Sequence, residues 1–349
     1  RFRTPSRCPI LFYGTAEMSA MSQKITFIDL FAGIGGFHLA FHNLGAECVF
    51  ASEWDKAARK TYEANFKKIS PQLFEEKADG KTNFAGDITK VNAKDIPNFD
   101  ILTGGFPCQP FSIIGAKAGF EHETQGTLFF DIERILKEKQ PKAFVLENVR
   151  NLTAHDDGKT FKIIIEHLEK LGYFVHYKVL NAIDYGVPQK RERIIIVGFK
   201  QDVSFQFPKP LHKENRITIK DILEKGKIDD AYFVRKKIRK RRHSKMLTRT
   251  ITEPKRPYVT HENIAGSVTP HEYSCALRAG ASANYILINN ERRPTERELL
   301  RIQGFPDWFK IVVSYSGIRR QTGNAVAVPV IEAVAHEVLR SLKQFKEIK

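Results

Sequence analysis

Short apolar runs alternate with amphipathic stretches from Lys24 to about Phe199, and this alternation constrains the fold more than any other feature of the sequence. The apolar runs predict strands, and the stretches with a period of about 3.6 residues predict helices. Strands are expected at residues 25–31, 48–52, 99–102, 143–146, 174–180 and 193–198, and helices at 55–66, 128–139 and 159–171. Such an order is typical of an α/β fold, a mostly parallel sheet with helices on both faces.

The alternation stops after Phe199, which predicts that a first domain covers residues 24–199. Residues 200–290 hold a basic block and short strand-like pieces, and we expect them to form a smaller, irregular domain. Helical patterns then return, so residues 291–349 are predicted to pack back on the first domain. Residues 1–23 show no periodic pattern, and we interpret them as an N-terminal extension or an expression remnant.

The chain carries a large positive charge, since 56 Lys and Arg residues against 40 Asp and Glu give a net charge of +16. A charge of this size indicates a polyanionic partner, of which nucleic acid is the natural candidate. Eleven cations lie between Arg235 and Arg256, opposed only by Glu253. Such a block can also be a solvated or disordered loop. Its position inside the chain favours a binding surface.

Cysteine usage and hydropathy exclude several classes of protein. The four cysteines form no C-x-x-C pair and have no histidine cluster nearby, which argues against a zinc site and a disulfide framework. They are Cys8, Cys48, Cys108 and Cys275. We therefore expect no metal and a reducing, intracellular setting. No stretch approaches the roughly 18 apolar residues that a membrane helix needs.

The first predicted strand runs into the glycine turn Phe31-Ala32-Gly33-Ile34-Gly35-Gly36 and then into a helix. Such a turn can hold a nucleotide-like ligand against backbone N–H groups. Glu53 ends the second strand, where a carboxylate can accept hydrogen bonds from ribose hydroxyls, and Trp54 offers adenine an aromatic face. The G-x-G-G spacing argues against a dinucleotide. The alternative is a tight turn beside an ordinary surface glutamate.

Reactive side chains lie next to three other predicted strands. One strand leads into Gly104-Gly105-Phe106-Pro107-Cys108-Gln109-Pro110-Phe111-Ser112, whose cysteine is a candidate nucleophile at a strand's carboxyl end. Glu147 follows the next strand, where a desolvated carboxyl group can deliver a proton; alternatively it is a structural acid. Arg191 and Arg193 alternate before a further strand, which predicts a common face aimed at an acceptor-rich ligand or an internal ion pair with Glu192.

These patterns belong to a longer ordered set of motifs. The set comprises residues 29–36, Glu53-Trp54, Gly86-Asp87-Ile88, Pro107-Cys108-Gln109, Gln125-Gly126-Thr127-Leu128, Glu147-Asn148-Val149, Gln189-x-Arg191-x-Arg193, residues 301–306 and residues 321–326. In this order it resembles the DNA cytosine-5 methyltransferases, closest to compact bacterial enzymes of restriction-modification systems such as the HhaI methyltransferase. The resemblance covers almost everything from Lys24 onward except residues 200–275.

The resemblance implies a Rossmann-like methyltransferase fold that binds S-adenosylmethionine, with a target-recognition domain at residues 200–290. It implies methyl transfer to C5 of a cytosine flipped out of duplex DNA, through a covalent bond between Cys108 and C6. Glu147 would protonate N3, Arg193 would contact the cytosine O2, and Arg191 would have a supporting or phosphate-contacting role. The implied cofactor contacts are Phe31, Gly33, Ile34, Gly35, Glu53, Trp54, Asp87, Ile88, Pro107, Leu128, Asn324 and Val326.

DNA contacts are implied in two places. The segment 109–122 resembles a loop that closes over the flipped base, with Gln109 and Ser112 as contacts. Arg278 lies in a segment that resembles the end of such recognition domains. We expect a cytoplasmic bacterial enzyme that binds double-stranded DNA and no membrane. It would protect sites that a cognate restriction endonuclease attacks, without stable association with that nuclease.

Three other functions are left open by the sequence. The RNA enzymes that resemble DNA methyltransferases, which methylate cytosine in tRNA, share nearly all these motifs, although the full-sized basic insert before Ala276 suits duplex DNA better. An inactive DNA-binding regulator could keep the fold, but the intact Cys108 and Glu147 argue against it. A nicotinamide oxidoreductase is disfavoured by the glycine spacing.

Overall fold

The computed structural model describes residues 24–107, 128–247 and 254–345. Contacts group the described residues into two compact units. The larger unit holds the described residues 24–107, 128–180, 192–208 and 331–345. The smaller unit holds the described residues 181–191, 209–247 and 254–330.

The strands are β1 Thr26–Leu30, β2 Glu47–Ser52, β3 Phe84–Ala85, β4 Ile101–Gly105, β5 Ala143–Val149, β6 Phe174–Asn181, β7 Gln189–Lys190, β8 Glu192–Phe199, β9 Val259–Glu262, β10 Val268–His271, β11 Ser274–Cys275 and β12 Ile286–Ile288. The helices are α1 Gly36–Asn43, α2 Lys56–Phe66, α3 Leu128–Lys139, α4 Lys159–Lys170, α5 Ile219–Ile222, α6 Lys236–Leu247, α7 Glu296–Ile302, α8 Tyr315–Asn324 and α9 Val328–Leu342. The strands and helices expected before residue 200 are confirmed, with small shifts at their ends. Within the described ranges, no helix has both the length and the apolar character needed to cross a membrane.

The larger unit is built on a seven-stranded sheet in the order β3-β2-β1-β4-β5-β8-β6. The strands β1 to β5 pair in parallel, so their carboxyl ends lie along one edge of the sheet. β8 runs antiparallel to β5 and places Arg193 opposite Val149 and Ile195 opposite Glu147. The amino end of β8 therefore lies at that same edge, beside the end of β5.

The sheet forms because its central strands are apolar on both faces, as expected for strands covered by helices on either side. All residues of β5 before Val149 are buried. α3 buries Phe129, Ile132 and Leu136, which recur at the three- and four-residue spacing of one helix face. The expected Rossmann-like α/β architecture is thus confirmed.

The smaller unit contains an antiparallel sheet in the order β10-β9-β12, and β11 pairs in parallel with β7. Its core includes Val259, Ile286 and Ile318. α7 begins with a capping box, because the Thr295 hydroxyl accepts from the Glu298 backbone N–H and the Glu298 carboxylate accepts from that of Thr295. A separate strand-containing region, as expected from the sequence, is therefore present.

The compact units divide the chain at other positions than the sequence predicts. Residues 291–330 group with the smaller unit rather than with the first domain. Residues 181–191 do so as well, because the Gln189 amide donates to Ile302 O at 3.0 Å and accepts from the Leu277 backbone N–H at 2.9 Å. The assignment of four functional segments stays a prediction.

Candidate active site

Gly33 and Gly35 have different roles in the glycine turn after β1. Both have positive φ values, which glycine adopts without strain, and Phe31 has a positive φ value as well. A Cβ on Gly35 would lie 2.2 Å from Cε2 of Phe66, so this glycine permits α1 and α2 to pack closely. A Cβ on Gly33 would meet no described heavy atom within 4 Å. Open space therefore adjoins the turn at Gly33, where a ligand can approach the backbone.

Glu53 holds the turn in place from the end of β2. Its carboxylate accepts the backbone N–H of Gly33 and that of Asp55, each at 2.8 Å. Burial raises the pKa of the Glu53 carboxyl, and these two N–H groups oppose that effect by stabilising the charged form. A carboxylate offers about four lone-pair sites, so it can still accept a ribose hydroxyl. Trp54, next in the chain, is 82% exposed and presents an uncovered aromatic face.

The loop after β3 supplies a further polar group at this edge. Asp87 accepts from the Thr89 backbone N–H at 3.1 Å and from its hydroxyl at 2.8 Å, which fixes the turn. Ile88 is buried in the apolar core beneath. The remaining predicted cofactor residues divide between the units: Ile34 and Pro107 lie at the same edge, Leu128 begins α3, and Asn324 and Val326 belong to the smaller unit.

Glu147 and Arg193 form an ion pair where β5 and β8 meet. They are diagonal neighbours on one face of the antiparallel pair, so their side chains can meet. Arg193 Nε lies 2.9 Å from Glu147 Oε1. This contact lacks hydrogen-bond geometry, and among the described residues that buried oxygen has no hydrogen-bond donor. Glu147 is only 9% exposed, so the pair holds a carboxylate oxygen in a desolvated position with hydrogen-bonding capacity left.

Asn148 is a residue of this site whose role the sequence did not reveal. Its side-chain amide donates to the Phe106 carbonyl oxygen at 3.0 Å, which ties the end of β5 to the segment that follows β4. Gly105 is the register partner of Glu147, and Cys108 follows it three residues later in the chain. The sequence signal that could have indicated this contact is the position of Asn148 directly after the acid at the end of a strand. Cys108 itself, with Gln109 and Ser112, lies outside the described residues.

The structure corrects the prediction that Arg191 and Arg193 share one ligand-facing side. Arg191 lies between β7 and β8 and is only 3% exposed. Its guanidinium donates to the carbonyl oxygens of Leu277, Gly323 and Ala325 at 2.8 to 3.4 Å. The predicted alternation assumed one continuous strand, which the break at Arg191 interrupts. Arg191 is therefore buried inside the smaller unit, where its guanidinium joins three backbone carbonyl oxygens, and its functional role stays a prediction.

Arg278, the third predicted DNA contact, lines an open groove of the smaller unit with a volume of about 570 Å³. Its guanidinium lies 4.9 Å from the centre of the Tyr285 ring, a cation–π contact. Burial, with Arg278 next in importance, lowers the pKa of His261 to about 4, so this neighbouring imidazole is neutral at pH 7. Ile264, at the turn between β9 and β10, lines the same groove and is 95% exposed.

The seven-stranded sheet, with a glycine turn after β1, an acid after β2 and an antiparallel β8, defines the Rossmann-like class of S-adenosylmethionine-dependent methyltransferases. A family model described as "C-5 cytosine-specific DNA methylase" matches residues 25–340. The chain belongs to this family and is a DNA cytosine-5 methyltransferase. Membership implies use of S-adenosylmethionine and a DNA substrate.

Individual relatives agree with the family. The chain is 51% identical over 307 residues to the Type II methyltransferase M.NgoBI of Neisseria gonorrhoeae, covering 88% of this chain and 90% of the relative. It is 39% identical over 336 residues to M.HhaI of Haemophilus parahaemolyticus, covering 91% and 95%. The resemblance to the HhaI enzyme is thus confirmed, although M.NgoBI is more similar. The S. pombe Dnmt2 methyltransferase structure matches with a TM-score of 0.67 at 20% identity over 92% of this chain and 100% of that chain, which shows the fold alone.

The residues at the sheet edge fit S-adenosylmethionine. The open space at Gly33, the hydrogen-bonding capacity of Glu53 and the exposed Trp54 suit a backbone-contacting ligand with ribose and adenine groups. Within the described part of the chain, no group of three or more His, Cys, Asp or Glu residues is placed to hold a metal ion. The expected lack of a metal stays a prediction.

Proposed function

We propose that this enzyme methylates C5 of a cytosine rotated out of a specific short duplex sequence, with Cys108 as the covalent nucleophile. The observation that carries the proposal is the Glu147–Arg193 pair at the end of β5, where Glu147 keeps a buried oxygen without a hydrogen-bond donor among the described residues. Asn148 ties this position to Phe106, two residues before Cys108 in the chain. A nucleophile and an acid on neighbouring strand ends suit attack on one heterocycle.

Covalent catalysis answers the chemical difficulty that C5 of cytosine is a poor nucleophile. The Cys108 thiolate adds to C6, the C5–C6 double bond is lost, and N3 takes a proton from Glu147, which makes C5 enamine-like. S-adenosylmethionine would supply the methyl group to C5 as a sulfonium electrophile, with its S–CH3 bond broken and S-adenosylhomocysteine as the product. A base then removes the C5 proton, the C5–C6 double bond re-forms, and the thiolate leaves C6.

Arg193 is proposed to orient both the carboxyl group of Glu147 and the flipped cytosine. Its Nε lies against Glu147, and NH1 donates to the Glu192 carbonyl oxygen at 2.8 Å. The other terminal nitrogen has no hydrogen-bond partner among the described residues and can donate to the cytosine O2. Glu192 itself pairs with Arg150 at 2.8 Å, so it does not compete for Arg193 through its carboxylate.

We place the adenosine part of S-adenosylmethionine at the edge formed by β1, β2 and β3. Glu53 would accept the ribose hydroxyls, Trp54 would stack on adenine, and Asp87 would accept from the adenine amino group. The other proposed contacts are Phe31, Gly33, Ile34, Gly35, Ile88, Pro107, Leu128, Asn324 and Val326. The open space at Gly33 supports this placement.

DNA recognition is assigned to the smaller unit, and Gln109 and Ser112 are proposed as contacts near the flipped base. The groove beside Arg278 supports base reading, since an arginine fork pairs with guanine O6 and N7 and an exposed isoleucine such as Ile264 suits the thymine methyl group. The named relative M.NgoBI is a Type II methyltransferase. We therefore propose that this enzyme protects the site of a cognate endonuclease in a bacterial cytoplasm, without stable association with it.

The test is covalent capture on duplex DNA that contains 5-fluorocytosine, with S-adenosylmethionine present. Fluorine cannot leave as a cation, so the thiol adduct persists and shifts the protein on a denaturing gel. The parent and Cys275→Ala, the matched control in the smaller unit, should form the adduct, whereas Cys108→Ala should form none and still bind DNA. Glu147→Gln should slow methyl transfer by about 10²- to 10⁴-fold.

Three results would overturn the proposal. An adduct with Cys108→Ala would exclude this thiol as the nucleophile. Methylation of tRNA alone, in parallel assays with duplex DNA, would assign the enzyme to RNA. Tight DNA binding by the parent with neither adduct nor methylation would favour a DNA-binding regulator.

A further inference from the structure

Residues 236–247 of the basic block form α6, and Arg242 anchors this helix from inside the protein. Arg242 is fully buried and donates to Glu262 at 2.8 Å, to Asn290 at 3.0 Å and to the Asn284 carbonyl oxygen at 2.8 Å. It also donates to both oxygens of Thr260, at 3.2 and 2.9 Å. These contacts fix α6 on β9, so the block is an ordered helix in this part and not a loop.

The cations that flank the buried side of α6 are paired with acids elsewhere in the smaller unit. Arg241 and Lys245 lie 2.8 and 3.3 Å from the carboxylate of Glu262. Arg239 lies 3.3 Å from Glu291. A large part of the local positive charge is thus used to hold the helix in place.

Three lysines on α6 have a different environment, and we name Lys236, Lys237 and Lys240 the outer lysines. The helix period places Lys237 and Lys240 opposite Arg242 and Met246, which are buried, and Lys236 at the side of the helix; all three lysines are exposed. In the described part of the chain none of them forms an ion pair. They point away from the protein as an uncompensated row of ammonium groups.

This arrangement is unfavourable for the isolated protein. Lys236 and Lys240 are like charges four residues apart on one helix, which repel each other. Lys236 and Lys237 also begin the helix, where its dipole disfavours cations. A polyanion bound along this side would remove both penalties.

We propose that α6 is a phosphate-binding helix and that the outer lysines contact the backbone of the duplex that the enzyme methylates. The proposal rests on the proposed DNA methyltransferase function. Arg241 lines the groove that also holds Arg278, so the helix borders the surface assigned to base reading. Phosphate contacts fix the register of a protein on DNA and do not select sequence. The outer lysines therefore contribute affinity, and the groove contributes specificity.

The test is the salt dependence of DNA binding by the triple variant Lys236→Gln, Lys237→Gln, Lys240→Gln. Each lost phosphate contact lowers the slope of log K against log salt by about 0.9, so the slope should flatten by about 2.7. Between about 50 and 200 mM salt, the parent should then lose about 40-fold more affinity than the variant. The effect should be equal on the methylated site, located by bisulfite sequencing, and on a scrambled duplex.

The matched control is Lys209→Gln, Lys213→Gln, Lys220→Gln, which removes the same charge from three exposed lysines of the same unit. It should leave the slope near that of the parent. Thermal unfolding of the outer-lysine variant should be no lower than the parent's, because the substitutions remove repulsion.

An unchanged slope in the outer-lysine variant, or an equal loss in the control, would overturn the proposal. So would a loss confined to the methylated site, because that result would make these lysines base readers. Neither the slope nor the control depends on methyl transfer. If the parent binds DNA but does not methylate it, the proposed function is contradicted. The proposal for α6 is then still decided by the salt slopes of the parent, the outer-lysine variant and the control.

Discussion

Replacement of Arg191 separates a structural role from a role in DNA binding. Arg191→Met keeps much of the side chain's length but removes the donors that three buried carbonyl oxygens share. Ala325 O keeps the Gln303 amide as a donor at 3.2 Å, whereas Leu277 O and Gly323 O lose the donor described for them. A buried acceptor left without a donor costs about 1–3 kcal/mol, so the loss should be at least about 2 kcal/mol. Arg191→Lys keeps the charge but cannot reproduce the fork, and we expect it to be destabilised as well.

The assay follows urea unfolding of the smaller unit by tryptophan fluorescence. The chain has two tryptophans, and Trp54→Phe leaves Trp308, which lies in the smaller unit, as the reporter. In this background both Arg191 variants should unfold at lower urea concentration than the Arg191 parent, with no change in the salt slope of DNA binding. If Arg191→Met stays within about 1 kcal/mol of the parent while the salt slope falls by about 0.9, Arg191 contacts a phosphate and the structural reasoning fails.

Two further predictions concern the larger unit. Gly198→Ala should lower the free energy of unfolding by about 1–3 kcal/mol, because its Cβ would lie 2.2 Å from Cε1 of Phe144. The measurement is thermal unfolding, with Gly280→Ala as the control, because a Cβ on Gly280 has no described atom within 4 Å. Equal unfolding midpoints for the two variants would contradict the prediction. Burial raises the pKa of Asp29 well above its ordinary value, so the folded protein binds this proton more tightly and loses stability as the pH rises above about 4. Asp29→Asn should flatten that decline in unfolding measurements from pH 4 to 8, and an unaltered decline would assign it to another group.

The sequence predicted which segments form strands of the sheet, but it did not predict the direction of every strand. Residues 143–146 and 193–198 were correctly expected as strands, because a strand buried on both faces is an apolar run of a few residues. Nothing in such a run tells which way the chain passes through the sheet, so the antiparallel direction of β8 came only from the structure. That direction matters most for function, since it brings Arg193 beside the end of β5.

The site was predictable where chemistry follows from adjacent residues and not where it depends on distant partners. The glycine turn and Glu53 were expected to serve one nucleotide-like ligand, which stays a prediction, and the structure shows that the Glu53 carboxylate accepts the Gly33 N–H. Arg191 was misplaced because its partners, Leu277 and Ala325, lie far along the chain and are backbone atoms with no signature in the sequence. Asn148 was overlooked for a similar reason, since its role depends on one carbonyl oxygen after another strand.

The basic block shows why a charge count predicts the kind of partner better than the number of contacts. Ten of its eleven cations are described, and five of these are paired with Glu262 or Glu291: Arg239, Arg241, Arg242, Lys245 and Arg256. If every cation of the block bound a phosphate, the salt slope from this region alone would approach −10, whereas the outer lysines account for about −2.7. A cation that is already held by a carboxylate must give up that partner before it can release counterions from DNA. The contribution of the block to the parent's slope should therefore be far smaller than its charge suggests, because half of its described cations are already paired with carboxylates.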